Sequence, residues 1–156
     1  MPADSIPAAL GRIPSGCAIL TAKAGNKRTG LLASWLPQAA FEPPMFSVAV
    51  RAGRPIEALI DHSNQFVVNI LSETPGPMFK HFGKGFGPDE DAFAGLNVQE
   101  HPAGIIIPDQ IAWLAGKVRA KHPAGDHFLY FSEIIDAGAT DGAKPYVHLR
   151  KNGLSY

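Results

Sequence analysis

The sequence predicts an all-β domain, a partly open barrel with two short helices set between strands. Three observations point there. The 16 glycines and 14 prolines are spread along all 156 residues, so they punctuate many short elements instead of marking a disordered tail. Runs rich in β-branched and aromatic residues recur between those breaks, most densely at Gln65–Leu71 and His127–Ile135. Only two stretches read as helix, and both are short.

Taken in order, Gly16–Ala24 is β-rich and Gly25-Asn26 follows as a turn, so Lys27–Ser34 reads as the returning arm of a hairpin. Trp35–Pro44 is an ordered loop, because the adjacent prolines 43 and 44 cannot sit inside a central strand. Met45–Val50 is a third strand. Arg51-Ala-Gly-Arg54 breaks it, and Pro55 suits the first position of a helix whose Ile56, Leu59 and Ile60 share a face. That helix ends near His62-Ser-Asn64, and the strand Gln65–Leu71 follows. A short helix is expected over Pro77–Phe82, then an irregular, Gly-rich and acidic stretch, Gly83–Gly95. The second half reads as a weak strand at Leu96–Glu100, then Ile105–Ile107, Ile111–Lys121, His127–Ile135 and a final strand Lys144–Arg150. No repeat or linker interrupts this order, so residues 1–156 form one domain.

Formal charge is zero, with 14 basic and 14 acidic residues and no long run of either sign, which argues against nucleic acid or an anionic membrane as partner. No apolar run reaches the roughly 20 residues of a membrane helix, and Met1–Ile6 is too polar for a signal peptide, so the cytoplasm is the expected location. The single cysteine, Cys17, lies in an apolar run and reads as a small buried hydrophobe. The six histidines (62, 81, 101, 122, 127 and 148) lack the short paired spacings of a metal site, so none is expected.

Two segments could carry chemistry. Arg51-x-x-Arg54-Pro55 lies at a strand-to-helix junction, where exposed N–H groups and two guanidinium groups suit a phosphate monoester; by spacing alone the pair could equally be solvated surface arginines. The small residues between Gly30 and Pro44 would let backbone amides approach a flat ring. Gly83-Lys-Gly-Phe-Gly87 has the look of a phosphate loop but lacks the terminal Lys-Ser/Thr and its strand–helix setting, and reads instead as a lid.

Gly30, Ala33, Ser34, Glu42, Pro43 and Pro44, then Gln65–Leu71, Lys80-His-Phe82, Phe93-Ala-Gly95 and Gly125-Asp-His127 resemble, in order, the signatures of the flavin reductase-like family. Leu32-Ala-Ser-Trp35, Pro88-x-Glu-Asp91 and the ending His148-x-Arg-Lys151 to Tyr156 are similar to the C-terminal flavin reductase module of flavodiiron proteins of oxygenic phototrophs. The chain would then be that module without its diiron and flavodoxin-like companions. The resemblance implies an FMN-binding split barrel of Greek-key type, reduced by NADH or NADPH, and a homodimer passing electrons to a protein or free-flavin acceptor. It assigns FMN contacts to Leu32, Ala33, Ser34, Trp35, Ala49, Val50, Arg51, Arg54, Pro55 and His81. His127 would be the catalytic residue near the nicotinamide. Two departures stand out: Leu32 replaces a common threonine, and Trp35, where a small polar residue is usual, either stacks on the ring or fills the barrel mouth. Asp126 and His127, being neighbours on a strand start, are expected to diverge and form no dyad. A non-catalytic FMN protein, another split-barrel enzyme or an interaction module are the competing functions.

Overall fold

The computed structural model describes residues 5–155; Met1 to Asp4 of the N-terminal stretch and Tyr156 of the closing motif lie outside it. Helix α1 (Ser5–Leu10) comes first, where the sequence predicts no element. The expected hairpin follows as β1 (Ala18–Ala24) and β2 (Lys27–Ala33), with Ala24 facing Lys27 across a two-residue turn. The proline-bearing loop holds a short strand, β3 (Gln38–Ala40), paired with β4 (Met45–Arg51). Helix α2 (Pro55–Ser63) begins on Pro55 and stops at Asn64, whose φ of 59° ends the helical path. Strand β5 (Gln65–Leu71) has the expected bounds, and α3 spans Gly76–Gly83. Strands β6 (Gln99–His101) and β7 (Gly104–Ile106) form a small hairpin, and β8 (Gln110–Ala124) and β9 (His127–Ala139) a long one.

Seven strands make one antiparallel sheet in the order β2-β1-β5-β8-β9-β4-β3. Strand pairing does not close it: β2 and β3 are its edges. Yet Ala18, Leu20 and Ala22 of β1, Phe46, Val48 and Val50 of β4, and Phe66 and Val68 of β5 share one buried cluster with Ile56 and Ile60 of α2. Strands far apart in the order therefore face a common interior, so the sheet is curled around α2's apolar side.

The opposite face of β1 and β5 is covered as well. Cys17, Ile19 and Leu71 pack with Met78 and Phe82 of α3, with Ala92 and Phe93, and with Ile105 and Ile107. Burial on both faces explains why these two segments read as almost unbroken apolar runs, without the alternation of a half-exposed strand. Burial also pushes the Cys17 thiol up to about 11, so at neutral pH it is protonated and not a nucleophile.

The expected last strand, Lys144–Arg150, is not one. It touches the sheet through single bridges, Pro145 with Ser72 and His148 with Ser15. Pro145 cannot donate to a ladder, and the segment crosses from β5's end to the lead-in of β1 instead of following either.

Candidate functional site

Strands β2 and β4 end side by side because the chain leaving β2 runs along β4: Ala49 N–H donates to Trp35 O at 3.0 Å and Ser47 N–H to Pro37 O at 3.0 Å. Beside these strand ends lie the N-terminus of α2 and the C-terminal turn of α3. Between them is a cavity of about 250 Å³, lined by residues 31–35, 49–51, Arg54 and 82–85. Eight expected contacts meet there: Leu32, Ala33, Ser34, Trp35, Ala49, Val50, Arg51 and Arg54.

Gly30 has a reason different from the one its neighbourhood suggested. A Cβ there would stand 2.9 Å from Phe82 Cε1, so the glycine admits the Phe82 ring, which in turn carries residues 83–85 onto the cavity wall. Gly83, Lys84 and Gly85 thus belong to the site, and Gly85 (φ 76°) lies against Arg54, whose Nη1 is 3.9 Å from the position of a Cβ. The sequence identifies residues 83–85 only as part of a lid. The rest of that segment is fastened by ion pairs of Arg28 with Asp91 and Lys27 with Asp89, at 3.4 and 3.5 Å.

Three expected contacts fall elsewhere. Pro55 is the first residue of α2 and does not line the cavity. His81 turns away: its Nε2 donates to Ala92 O at 2.8 Å and its ring packs on Phe82 and Phe86, tying α3 to the following loop. His127, 7% exposed, lies behind Trp35, the ring centroids being 4.8 Å apart. The expected divergence of Asp126 and His127 does not occur. His127 Nδ1 donates to Asp126 Oδ1 at 2.7 Å, because the hairpin turn at Gly125 (φ 63°) lets the exposed carboxylate fold back over the strand start. This bond, more than the Arg51 guanidinium 3.9 Å away, holds the Asp126 carboxyl below the usual carboxylate range. Arg150 from the C-terminal segment lies over the Trp35 ring at 4.9 Å, a contact no sequence spacing announces.

The junction Arg51–Pro55 offers its side chains more than its backbone. The amide of Ala52 donates to Asp126 O at 3.0 Å, Gly53 to Glu57 Oε2 at 2.8 Å and Arg54 to Arg51 O at 3.3 Å, and Pro55 has none. The guanidinium groups remain. Arg51 is near Asp126, whereas among the described residues Arg54 makes no ion pair.

The profile of the flavin reductase like domain matches residues 10–153. The chain belongs to the flavin reductase-like family. A putative diflavin flavoprotein of Nostoc sp. is 36% identical over 160 residues, covering all of this chain and 28% of its own length. A diflavin flavoprotein of Synechocystis sp. is 38% identical over 151 residues, covering 95% and 26%. The chain thus spans about a quarter of the length of these relatives. Among solved structures, an NADH:FAD oxidoreductase of Streptomyces globisporus superposes with a TM-score of 0.83 at 19% identity, over 92% of this chain and 88% of the other. The styrene monooxygenase flavin reductase of Pseudomonas putida S12 does so with a TM-score of 0.77 at 19% identity, over 92% and 91%. These likenesses bear on the fold; the family makes the chain a flavin-related oxidoreductase.

The residues present fit a flavin. Leu31, Leu32, Val50 and Phe82 offer apolar walls, Ala33, Ser34 and Ala49 leave room for a ring, and Arg54 offers a cation. Among the described residues no three His, Cys, Asp or Glu side chains gather as a metal site, and no helix is long and apolar enough to cross a membrane.

Acid should loosen the wall behind this cavity. Phe93 N–H, and after it Arg28, lowers the Asp91 carboxyl, and Lys23, with Arg28 following, lowers that of Glu100. Both folded pKa values lie below their unfolded ones, so the stabilisation is complete above about pH 4.3 and is lost as pH falls through the lower folded values. Hydrogen exchange across residues 83–101 should therefore accelerate, relative to β8 and β9, between pH 5 and pH 3 after correction for intrinsic rates. Arg28→Ala should show most of that acceleration already at pH 5.

Proposed function

We propose that the chain binds FMN in this cavity, ring between β2 and β4 and phosphate at Arg51 and Arg54, and that NADH or NADPH reduces it. The observation that carries the reading is one cavity with apolar walls and an arginine pair at its edge. A cleft near 250 Å³ falls below the roughly 300 Å³ at which sites begin to enclose a drug-sized ligand, so part of the nucleotide lies at the mouth. Ending at the arginines suits a phosphate monoester and so favours FMN over FAD. The flavin, when bound, supplies a ring that takes hydride from the nicotinamide and releases electrons to an acceptor.

The protein's own part is positioning. Leu32 and Val50 exclude water from the ring, and the backbone of Ala33 and Ser34 lies close enough to orient it. Trp35 acts as the cover of the mouth, backed by His127 and Arg150. His127 serves the reaction through Trp35; it becomes a contact for the nicotinamide only where that ring gives way. Asp126 holds the Nδ1 proton and so leaves His127 in one tautomer.

The curled sheet is best described, in this reading, as a split barrel, and the protein as a cytoplasmic homodimer. Phe41 (88% exposed), Val147 and Leu149 are apolar side chains that a second copy would cover. Size-exclusion chromatography with light scattering checks this. The main test mixes the protein with FMN, then with NADH or NADPH without oxygen. Bleaching of the flavin band supports the reductase; a flavin that binds but does not bleach indicates a carrier reduced by a protein; no flavin uptake overturns both.

A further inference from the structure

We infer that Glu57, held by Lys121, is a positioning residue for the phosphate of the flavin, an inference that rests on the cavity and phosphate assignment above. The starting observation is an acid where an anion is to bind. Glu57 lies in the first turn of α2, three residues beyond Arg54. Its Oε2 accepts the Gly53 amide at 2.8 Å, and its Oε1 accepts Lys121 Nζ at 3.1 Å. The side chain is 19% exposed, so both bonds are shielded from water more than the surface pairs are.

Lys121 comes from the far end of β8 and is itself fixed. It donates to Asp61 Oδ2 at 2.8 Å, and its ammonium lies 4.1 Å from the Phe128 ring centroid. Tyr130 completes the group by donating to Asp61 Oδ1 at 3.0 Å, with burial pushing its phenol up to about 12. The sequence separation of 64 between Lys121 and Glu57 means that the β8–β9 hairpin, not α2 itself, sets the carboxylate.

Two consequences follow for the junction Arg51–Pro55. Gly53 sits at φ 85°, a conformation other residues rarely adopt, and its amide is tied by Glu57. That bond fixes the turn from which the Arg51 and Arg54 side chains leave. Lys121 also offsets part of the carboxylate's charge, which would otherwise repel a phosphate beside it more strongly. Glu57 thus acts as a brace whose cost to anion binding is reduced from β8 by an ammonium shared with Asp61.

Simple electrostatics predicts the opposite sign. If Glu57 were only a nearby negative charge, or if it held the Gly53 amide in place of the phosphate, removing it would tighten FMN. The experiment compares FMN with riboflavin, which has the same ring and no phosphate, by fluorescence titration of the full chain. Wild type should prefer FMN. Glu57→Ala should weaken FMN roughly tenfold with riboflavin affinity held, so the preference falls, and Glu57→Gln, which keeps an oxygen for Gly53, should recover much of it. Lys121→Met should lower the preference too. Glu133→Gln, whose carboxylate pairs with Arg119 outside this group, serves as the control and should keep it.

Tighter FMN in Glu57→Ala, or an unchanged FMN preference, overturns the inference. So does an equal loss of FMN and riboflavin in Glu57→Ala, since that marks general loosening. If wild type binds the two flavins equally, the phosphate assignment itself fails, a result distinct from any of these. Thermal melting without ligand identifies a variant that has not folded; where Glu57→Ala is such a variant, Lys121→Met carries the comparison, and an FMN preference unchanged from wild type in it overturns the inference.

Discussion

Replacing Arg54 with alanine should weaken FMN by about tenfold to a hundredfold and leave riboflavin binding nearly unchanged. Hydrogen bonds to a charged group contribute roughly 1.5–3 kcal/mol, which is the source of that range. Arg54 should matter more than Arg51. Arg51 has Asp126 3.9 Å away to offset part of its charge, whereas Arg54 has no such neighbour among the described residues. It also stands where α2 begins and beside Gly85, just beyond the end of α3, so it joins the two walls of the cavity. Arg51→Ala is expected to cost several-fold, and the double variant to lose most of the preference for FMN over riboflavin. Raising salt from 50 to 300 mM should shrink the wild-type preference, because these guanidinium groups face water. Titrations of both flavins at both salt concentrations check this. An equal loss of both flavins in Arg54→Ala would mean that the residue shapes the cavity and does not meet a phosphate.

The elements that could be read from the sequence are those whose signals are local. Gly25-Asn26 sets a turn, Pro55 starts a helix, and the run Gln65–Leu71 has no competing reading, so β1, β2, α2 and β5 fall where expected. Segments whose state depends on what they meet were misjudged. Lys144–Arg150 has strand-like alternation but no single neighbour to follow, and β3 exists only because β4 offers it an edge. The site shows the same division. The residues on β2 and β4 and at the start of α2 meet in one cavity, since strand ends and helix starts fix their own direction. Gly83, Lys84 and Gly85 reach it only through the packing of Phe82 against Gly30, a contact 52 positions long that no spacing encodes. His81 and His127 illustrate the limit of motif reading: each is in its expected place along the chain, yet one side chain is taken by Ala92 O and the other is screened by Trp35. Asp126 folded back on His127 because a turn residue, not a strand neighbour, decides its direction.

The largest loss of stability from one polar substitution is expected at Asn69. Its side chain is wholly buried in the middle of β5, where a run of apolar residues would be the simpler solution. Its Nδ2 donates to Ile19 O at 3.2 Å and to Ile105 O at 3.0 Å, and its Oδ1 accepts Ile107 N–H at 3.0 Å. The reason lies in β7, a strand whose only ladder partner among the described residues is β6. The hairpin lies across the face of β1 and β5, so the backbone groups it turns toward them have no strand to pair with. Thr21 and Asn69 supply the missing partners: Thr21 Oγ1 donates to Ile105 O at 2.7 Å and accepts Ile105 N–H at 3.0 Å. Gly104 makes the close approach possible, since a Cβ there would stand 2.8 Å from Thr21 O. Asn69→Ala leaves the Ile107 amide without its acceptor and Ile19 O without that donor, each costing about 1–3 kcal/mol, and adds a small cavity. A total of about 3–5 kcal/mol corresponds to a fall in Tm of roughly 10 °C or more in a domain of this size. Asn69→Asp should fare no better at neutral pH, because a buried carboxylate accepts from Ile107 but faces two carbonyl oxygens with no proton to give. Thr21→Val should cost less, since Asn69 still donates to Ile105 O, and the double variant should cost more than the sum of the two, because only then does Ile105 O lose both side-chain donors. The consequence reaches the cavity, as Ile105 and Ile107 pack in the cluster that holds Phe82. In Asn69→Ala, FMN and riboflavin should therefore weaken together, the opposite of the selective loss at Arg54. A Tm within about 2 °C of wild type would show that β7 is held by apolar packing and not by these bonds.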